Sequence, residues 1–256
     1  MGSVKAVANT KKMLMDRFEC EDCGELDDYV GCKIVRINDS ALKITQPVIV
    51  QSYSDEFDLP NHTCPTPATM VNMLTKADKS MVVSPKEQTK YRSGVGKMMH
   101  VMQYSLPQTY NAVRDLARHM SKPADKHTKA MLHCMKHCAE HSDRGLVLQP
   151  TRKWDGTDKH LFKVNGKSDS DYAKEPVDRR SVSGSVVMLE GSPVIFRSST
   201  QKHVGLSVTE AELYAGVSTA QNMLYTKNVL GSLGLRVELP MILEMDNMGA
   251  VHLTNN

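Results

Sequence analysis

Three acidic residues in the last third of the chain have the residue type and the local setting that metal-assisted hydrolysis needs. They are Asp169 in GKSDSDYA, Glu212 in LSVTEAELYAG and Asp246 in LEMDNMGAV. Hard divalent cations prefer oxygen ligands, and such cations promote hydrolysis of a phosphodiester near neutral pH. Each acid lies at the hinge of a different element. We therefore predict a split metal site that folding brings together.

The elements around these acids predict an α/β fold, with a mixed sheet and helices packed on it. Ser207 and Glu210 form an S-x-x-E capping-box pattern, so a long helix is expected from Ser207 to about Gly234. A short apolar strand precedes Asp246, and a further helix follows it. Three strands are expected before the long helix, at 161–173, 182–191 and 192–200. The resulting order is βββαβα.

Two of the three acids have a neighbour that competes for the same role. Asp171 lies two residues after Asp169, and alternate residues of a strand point to the same side. Glu210 lies two residues before Glu212 at the start of the long helix. The capping pattern gives Glu210 a structural role, whereas Glu212 lies further into the first turn. Spacing alone leaves the choice between Asp169 and Asp171 open.

The first 150 residues have a different pattern. The alternation in CKIVRI and ALKITQ, interrupted at 38–39, predicts a β-hairpin. Prolines between 60 and 67 mark a boundary loop, and a polar segment after Pro150 marks a second boundary. Helical spacing predicts helices over 109–120 and 125–141. We therefore predict three regions, at 1–62, 63–150 and 151–256.

Composition and charge narrow the classes of protein. The 256 residues carry a net charge of +3, and no apolar run reaches the length of a membrane span. The first ten residues lack a signal-peptide core, so we expect an intracellular, cytoplasmic protein without a membrane partner. A basic stretch favours a surface that follows phosphates and a solvated helical face about equally. Its members are Lys79, Lys86, Lys90, Arg92, Lys97, Arg114, Arg118, Lys122 and Lys126.

The six cysteines lack regular spacing and indicate reduced thiols rather than a disulfide framework. Cys20 and Cys23 form a CxxC pair, but a structural zinc site needs four ligands, and the nearest histidine, His62, is far along the chain. In HCMKHC, His133 and His137 share one helical face while the two cysteines share the next. We expect buried thiols and solvated histidines there rather than zinc.

Several runs of the sequence resemble the Pol polyproteins of copia-type LTR retrotransposons. SDSDYAKEPVDRRSVSG, SSTQKHVGLSVTEAELYAG and EMDNMGAV are similar to the family's ribonuclease H domain. MDRFECEDCGELDDYVGCKI resembles the end of the reverse transcriptase palm, and KYRSGVGKMMHVMQYSLPQTYNAVRDLARHM resembles the helical part that follows it. The resemblance covers nearly the whole chain in the family's order. It implies a palm remnant, a helical thumb or connection region and a ribonuclease H-like domain.

The resemblance implies roles for individual residues. It gives Asp169, Glu212 and Asp246 as catalytic metal ligands, with Mg²⁺ or Mn²⁺ as the cofactor and an RNA/DNA hybrid as the substrate. We expect flanking polar groups to contact the nucleic acid. Arg179, Arg180 and Lys202 are candidates for phosphate contacts, and Ser198 and Ser199 for the 2′-hydroxyl of RNA.

The sequence also departs from the family's pattern. The aspartates on which polymerisation depends lie before the region matched here, so we expect no polymerase activity. The family's domain continues into a segment with a fourth acidic ligand, which this sequence of 256 residues does not reach. We expect a ribonuclease with a weakened site or, as the alternative, a non-catalytic relic that keeps at most nucleic-acid binding. In an intact element the remainder of the polyprotein would be its partner, in a virus-like particle.

Overall fold

A computed structural model describes residues 4–69, 74–76, 78, 81–157 and 159–255. The chain is mixed α/β, as the sequence predicts. The helices are α1 (Val4–Arg17), α2 (Pro47–Glu56), α3 (Pro85–Tyr104), α4 (Tyr110–Ala117), α5 (Asp125–Glu140), α6 (Val208–Ser232) and α7 (Met248–Asn255), with a 3-10 turn at Pro107–Thr109.

The strands of the described residues belong to three sheets. The N-terminal sheet has the order β1-β2-β3-β4, the C-terminal sheet has the order β10-β6-β7-β8, and β5 pairs with β9. The strands are β1 (Asp28–Tyr29), β2 (Cys32–Asn38), β3 (Ala41–Thr45), β4 (Leu146–Leu148), β5 (Leu161–Phe162), β6 (Val164–Asp171), β7 (Val182–Leu189), β8 (Ser192–Thr200), β9 (Arg236–Val237) and β10 (Ile242–Met245).

Helices α2 to α5 enclose one hydrophobic core. Helix α3 begins with a capping box, in which Ser84 and Glu87 satisfy each other's backbone N–H groups and Pro85 occupies the first turn. Its apolar face packs against α4 and α5, which the helical spacing predicts. Fully buried members of the core include Tyr53 from α2 and Met98 from α3. This core therefore contains residues from both sides of the boundary predicted at residue 62.

The predicted hairpin is present as β2 and β3, but its surroundings differ from the sequence prediction in two places. The apolar segment after Pro47 forms α2, because Pro47 suits the first turn of a helix and the side chains of Val50 and Tyr53 reach the core. Strand β4 pairs antiparallel with β3, with Leu146 opposite Ile44. The hairpin thus adds a strand from the far end of the helical region.

The C-terminal region contains the βββαβα succession that the sequence predicts, together with the short pair β5 and β9. Strands β6, β7 and β8 form an antiparallel meander, and β10 joins the free edge of β6 in parallel. Helix α6 is the crossover between β8 and β10 and packs on the sheet. Gly166 permits this close packing, since a Cβ there would lie 2.5 Å from Met223 Sδ and 2.9 Å from Thr219 Cγ2. The helix is thereby held against β6, next to the acids of interest.

No helix among the described residues is long and apolar enough to cross a membrane.

Candidate metal centre

The three acids predicted from the sequence converge at one edge of the C-terminal sheet. Asp169 lies near the end of β6, Glu212 lies near the start of α6, and Asp246 directly follows β10. Strands β10 and β6 are parallel neighbours, and Met245 lies opposite Ser168. The next residues along the chain, Asp246 and Asp169, therefore lie side by side. One carboxylate oxygen from each of the three acids lies within 4.8 Å of the others. Tertiary structure therefore unites residues that are up to 77 positions apart in the sequence (169 to 246).

Helix α6 positions Glu212 through its N-terminal cap. The Ser207 hydroxyl accepts a hydrogen bond from the Glu210 backbone N–H at 3.1 Å. The Glu210 carboxylate accepts the Leu206 backbone N–H at 2.7 Å, so the capping box is shifted by one residue from the predicted pairing. Glu212 lies two residues further on and points to the sheet, where it is only 3% exposed.

Glu212 is the buried member of the group and its electrostatics are unfavourable without a cation. Its Oε1 accepts the Ser170 backbone N–H at 3.1 Å, but its Oε2 is buried with no hydrogen-bond partner among the described residues. Burial, together with the nearby carboxylates of Asp169 and Asp246, raises the pKa of Glu212 to about 7 against the opposing effect of the Ser170 N–H. A buried carboxylate oxygen without a donor is costly, and a bound cation would remove that cost.

These residues fit a hard divalent cation. The donor set consists of carboxylate oxygens, two of them on exposed side chains, and the buried Glu212 Oε2 has no other partner within the part of the chain that the structure describes. Mg²⁺ and Mn²⁺ are ordinarily held by one to three carboxylates, with water completing the coordination. The structure thus brings the three residues together in an arrangement that suits such an ion.

The two competing acids lie outside this group. Asp171 is on the same side of β6 as Asp169 but forms an ion pair with Lys174 at 3.5 Å. Glu210 caps α6, as described above. Among the described residues, the acidic group that could hold an ion contains Asp169 and Glu212 and neither of these neighbours.

The sheet face that carries Asp169 is smooth beside it, because the neighbouring position on β7 is a glycine. Asp169 is opposite Gly184 on β7, and Gly184 is opposite Ser198 on β8, so these three residues form one row on one face. Gly184 adds no side chain, which leaves open backbone between Asp169 and Ser198, about 10 Å apart at two strand spacings. The sequence reasoning missed Gly184, although a glycine inside a strand signals a close approach of backbone or ligand.

The residues predicted to contact nucleic acid lie in different settings. Ser198 belongs to the Asp169 row, and its hydroxyl donates to Asn111 Oδ1 of α4 at 3.2 Å. Ser199 lies in the neighbouring row with Ser183 and Ser170, which face the opposite side of the sheet. Arg180 approaches Asp178 at 3.3 Å, while Arg179 and Lys202 are exposed. The row that contains Asp169 thus includes Ser198 but not Ser199.

A second group of potential metal ligands combines His62, Cys64 and His133. In the sequence, His62 and His133 lie in separate segments, and no spacing pairs either of them with Cys64. Within HCMKHC, the thiols of Cys134 and Cys138 are buried as expected, but His137 is buried rather than solvated.

Comparisons with known proteins give three informative relatives. The retrovirus-related Pol polyprotein from transposon RE1 of Arabidopsis thaliana is 26% identical over 248 residues, which are 97% of this chain and 16% of that protein. The corresponding polyprotein from transposon TNT 1-94 of Nicotiana tabacum is 26% identical over 256 residues, 98% of this chain and 18% of that protein. The chain thus spans less than a fifth of either polyprotein.

The third relative is the secreted RxLR effector protein 161 of Plasmopara viticola. It is 35% identical over 125 residues, which are 49% of this chain and 82% of that protein. No protein-family model matches the chain. No solved structure matches it either.

Proposed function

Because this chain belongs to the Pol polyproteins of copia-type LTR retrotransposons, we propose that its C-terminal region is a ribonuclease H-like domain that hydrolyses the RNA strand of RNA/DNA hybrids with Mg²⁺ or Mn²⁺. The observation that carries the proposal is the convergence of Asp169, Glu212 and Asp246, in which the buried Glu212 Oε2 has no hydrogen-bond partner in the described ranges. The two retrovirus-related Pol polyproteins from transposons supply the context. In an intact element the domain would act in the cytoplasm, within a virus-like particle.

The three carboxylates would hold the cation at the edge of the sheet. Glu212 is fixed from the helix side and Asp246 from the β10 side, while Asp169 is exposed on the face that a duplex could approach. When bound, Mg²⁺ supplies the positive charge that activates water and stabilises the departing 3′ oxygen. The Ser170 backbone N–H orients the Glu212 carboxylate by donating to Oε1, which leaves Oε2 available to a cation.

The smooth row beside Asp169 supports a role in binding the RNA strand. A nucleic-acid backbone can approach Gly184 closely because no side chain projects there. Ser198, at the end of the same row, offers a hydroxyl that could bind a 2′-OH, the group that distinguishes RNA from DNA. To do so Ser198 would have to share or release its hydrogen bond to Asn111. Arg179 and Lys202 are exposed cations that could contact phosphates.

The test is cleavage of an end-labelled RNA/DNA hybrid by the purified chain with Mg²⁺. It compares wild type with two variants at positions on β6. Asp169→Asn is expected to lower the rate at least about 100-fold, since a metal ion contributes several kcal/mol to such reactions. Asp171→Asn is the matched control, because Asp171 lies on the same side of β6 and outside the metal group. It is expected to stay within about threefold of wild type.

Three outcomes would count against the proposal. The folded wild-type chain could leave the hybrid uncut, Asp169→Asn could cut as fast as wild type, or cleavage could persist after chelation of divalent ions. Wild type and Asp169→Asn that bind the hybrid alike, with neither cutting it, would favour the second candidate.

The second candidate is a non-catalytic relic that binds nucleic acid through the helical region. One comparison favours it, because about half of this chain matches most of a protein named a secreted effector, so homology to this segment does not by itself imply a nuclease. The basic surface is smaller than the sequence indicates. Lys97 pairs with Glu56, Arg118 pairs with Asp115 and Glu175, and Arg114 donates to Thr200. Exposed members of the stretch include Lys86, Lys90 and Lys122, while Lys79 lies outside the described residues.

A further inference from the structure

We propose that His62, Cys64 and His133 form a second metal site, which takes a thiophilic divalent cation of the Zn²⁺ type. His62 and Cys64 lie in the loop after α2, and His133 lies on α5. One ligand atom from each lies within 4.8 Å of the others. A set of two imidazoles and one thiol suits Zn²⁺, whereas Mg²⁺ prefers oxygen. The site therefore differs in chemistry from the carboxylate group on the sheet.

The loop holds Cys64 in place through its own backbone. The Cys64 N–H donates to Glu140 Oε2 at 2.8 Å, and the Cys64 carbonyl accepts from His137 Nδ1 at 2.8 Å. Both partners belong to α5, the helix that carries His133. The sulfur is thus fixed relative to His133 by bonds that do not involve a metal, as expected for a preorganised ligand.

His133 is also oriented as a metal-binding histidine would be. Its Nε2–H donates to the Thr66 carbonyl at 2.9 Å, which leaves the Nδ1 lone pair free to accept. That Nδ1 lies 3.2 Å from Cys64 Sγ. In a tetrahedral zinc site with ordinary bond lengths the sulfur and a ligand nitrogen are about 3.5 Å apart. The observed pair needs little movement to share an ion.

The proton that now joins these two atoms would be displaced on binding. Burial raises the pKa of the Cys64 thiol, and the negative charge of Glu140 raises it further, so the thiol is protonated in the metal-free chain at neutral pH. Metal coordination requires the thiolate, so binding releases this proton to solvent. The same burial argues against Cys64 as a catalytic nucleophile, since its side chain is 0% exposed and unreachable by a substrate.

His62 provides the route by which an ion could enter. Its side chain is exposed, whereas Cys64 is buried and His133 is half-buried. His62 and His133 both line a cavity of about 530 Å³, from which a water molecule could complete a four-coordinate site. An ion bound there would join the loop after α2 to α5.

The test is a titration with Co²⁺, a spectroscopic substitute for Zn²⁺, in a chain that carries Cys20→Ser and Cys23→Ser. Both of these cysteines are exposed and would otherwise bind the probe themselves. Millimolar Mg²⁺ is included to occupy the carboxylate group. We expect one Co²⁺ per chain with a thiolate-to-metal charge-transfer band, displacement of that ion by one Zn²⁺, and release of about one proton per ion.

Three variants in that background locate the site. Cys64→Ser is expected to abolish the charge-transfer band, and His62→Ala, at an exposed position, to weaken binding at least about tenfold without loss of the fold. His141→Ala, at the residue that directly follows α5, is the matched control and is expected to bind like its parent. The proposal is overturned if the parent chain, folded by circular dichroism, gives no thiolate band, or if His62→Ala binds as tightly as its parent.

Discussion

Glu212→Gln separates the stability of the candidate site from its function. The substitution removes the charge and keeps the shape of the side chain, including an oxygen that can accept the Ser170 N–H. In the metal-free chain it replaces a buried carboxylate beside Asp169 and Asp246 by a neutral amide. We therefore expect the variant to be more stable than wild type at mildly alkaline pH and inactive as a nuclease.

The magnitude follows from the pKa of Glu212. Its rise from the ordinary 4.5 to about 7 corresponds to roughly 3 kcal/mol. The folded chain holds this proton up to a higher pH than the unfolded chain, so wild type loses stability as the pH rises from 4.5 to about 7. Glutamine does not titrate. The advantage of the variant should therefore grow by about 2 kcal/mol between pH ~5 and pH ~8.

The assay is urea unfolding of both chains, in a chelator, at these two pH values. Glu210→Gln serves as the control, because Glu210 is exposed and caps the same helix two residues earlier, and its expected cost is below about 1 kcal/mol. Excess Mg²⁺ should then stabilise wild type but not Glu212→Gln, since only wild type keeps all three carboxylates. Parallel pH dependence of wild type and Glu212→Gln would refute the reasoning about this site.

Two further predictions concern the packing that supports the sheet. Arg152 donates to both carboxylate oxygens of Glu190, which is 3% exposed. Arg152→Ala should therefore lower the free energy of unfolding at neutral pH by about 2 kcal/mol, a figure reduced for the exposure of Arg152. A loss under about 0.5 kcal/mol would contradict this prediction. Gly166→Ala should cost about 1 to 2 kcal/mol in the same assay, because the added Cβ would crowd Thr219, which is fully buried and hydrogen-bonded to the Ala215 carbonyl. Gly184→Ala is its control, since a Cβ there meets nothing closer than 4.0 Å, and equal losses for the two would argue against close packing of α6 on β6.

The C-terminal elements could be predicted because local signals and burial agree there. Alternation along β6 places Gly166, Ser168 and Ser170 on the buried face, and the Ser207 cap begins α6 where the pattern indicates. The N-terminal half gave weaker signals. Helix α2 follows a strand with no intervening loop, and its apolar run after Pro47 is as typical of a strand as of a helix. Strand β4 has three residues, too few for any periodicity.

The acids at the site were predictable for a related reason. Asp169 lies near the end of β6, Glu212 near the start of α6 and Asp246 directly after β10. The topology of a parallel pair joined by a helix brings such positions to one edge. Spacing alone could not decide between Asp169 and Asp171, since both side chains point to the same side of β6. It depends on which acid is beside Asp246, and this is set by the register of β10 on β6.

The group of His62, Cys64 and His133, by contrast, could not be predicted from the sequence. Its members are separated by up to 71 positions (62 to 133), and two of them lie in an irregular loop whose path depends on hydrogen bonds to Glu140 and His137. No periodicity encodes such a path. The same difference separates the two sites physically. The carboxylates are positioned by the sheet and repel one another until a cation binds, whereas Cys64 and His133 are already joined by a hydrogen bond. Without metal, the free energy of unfolding should therefore depend on pH through the carboxylate group. In the His/Cys group, the hydrogen bond between Cys64 and His133 should hold the two side chains together.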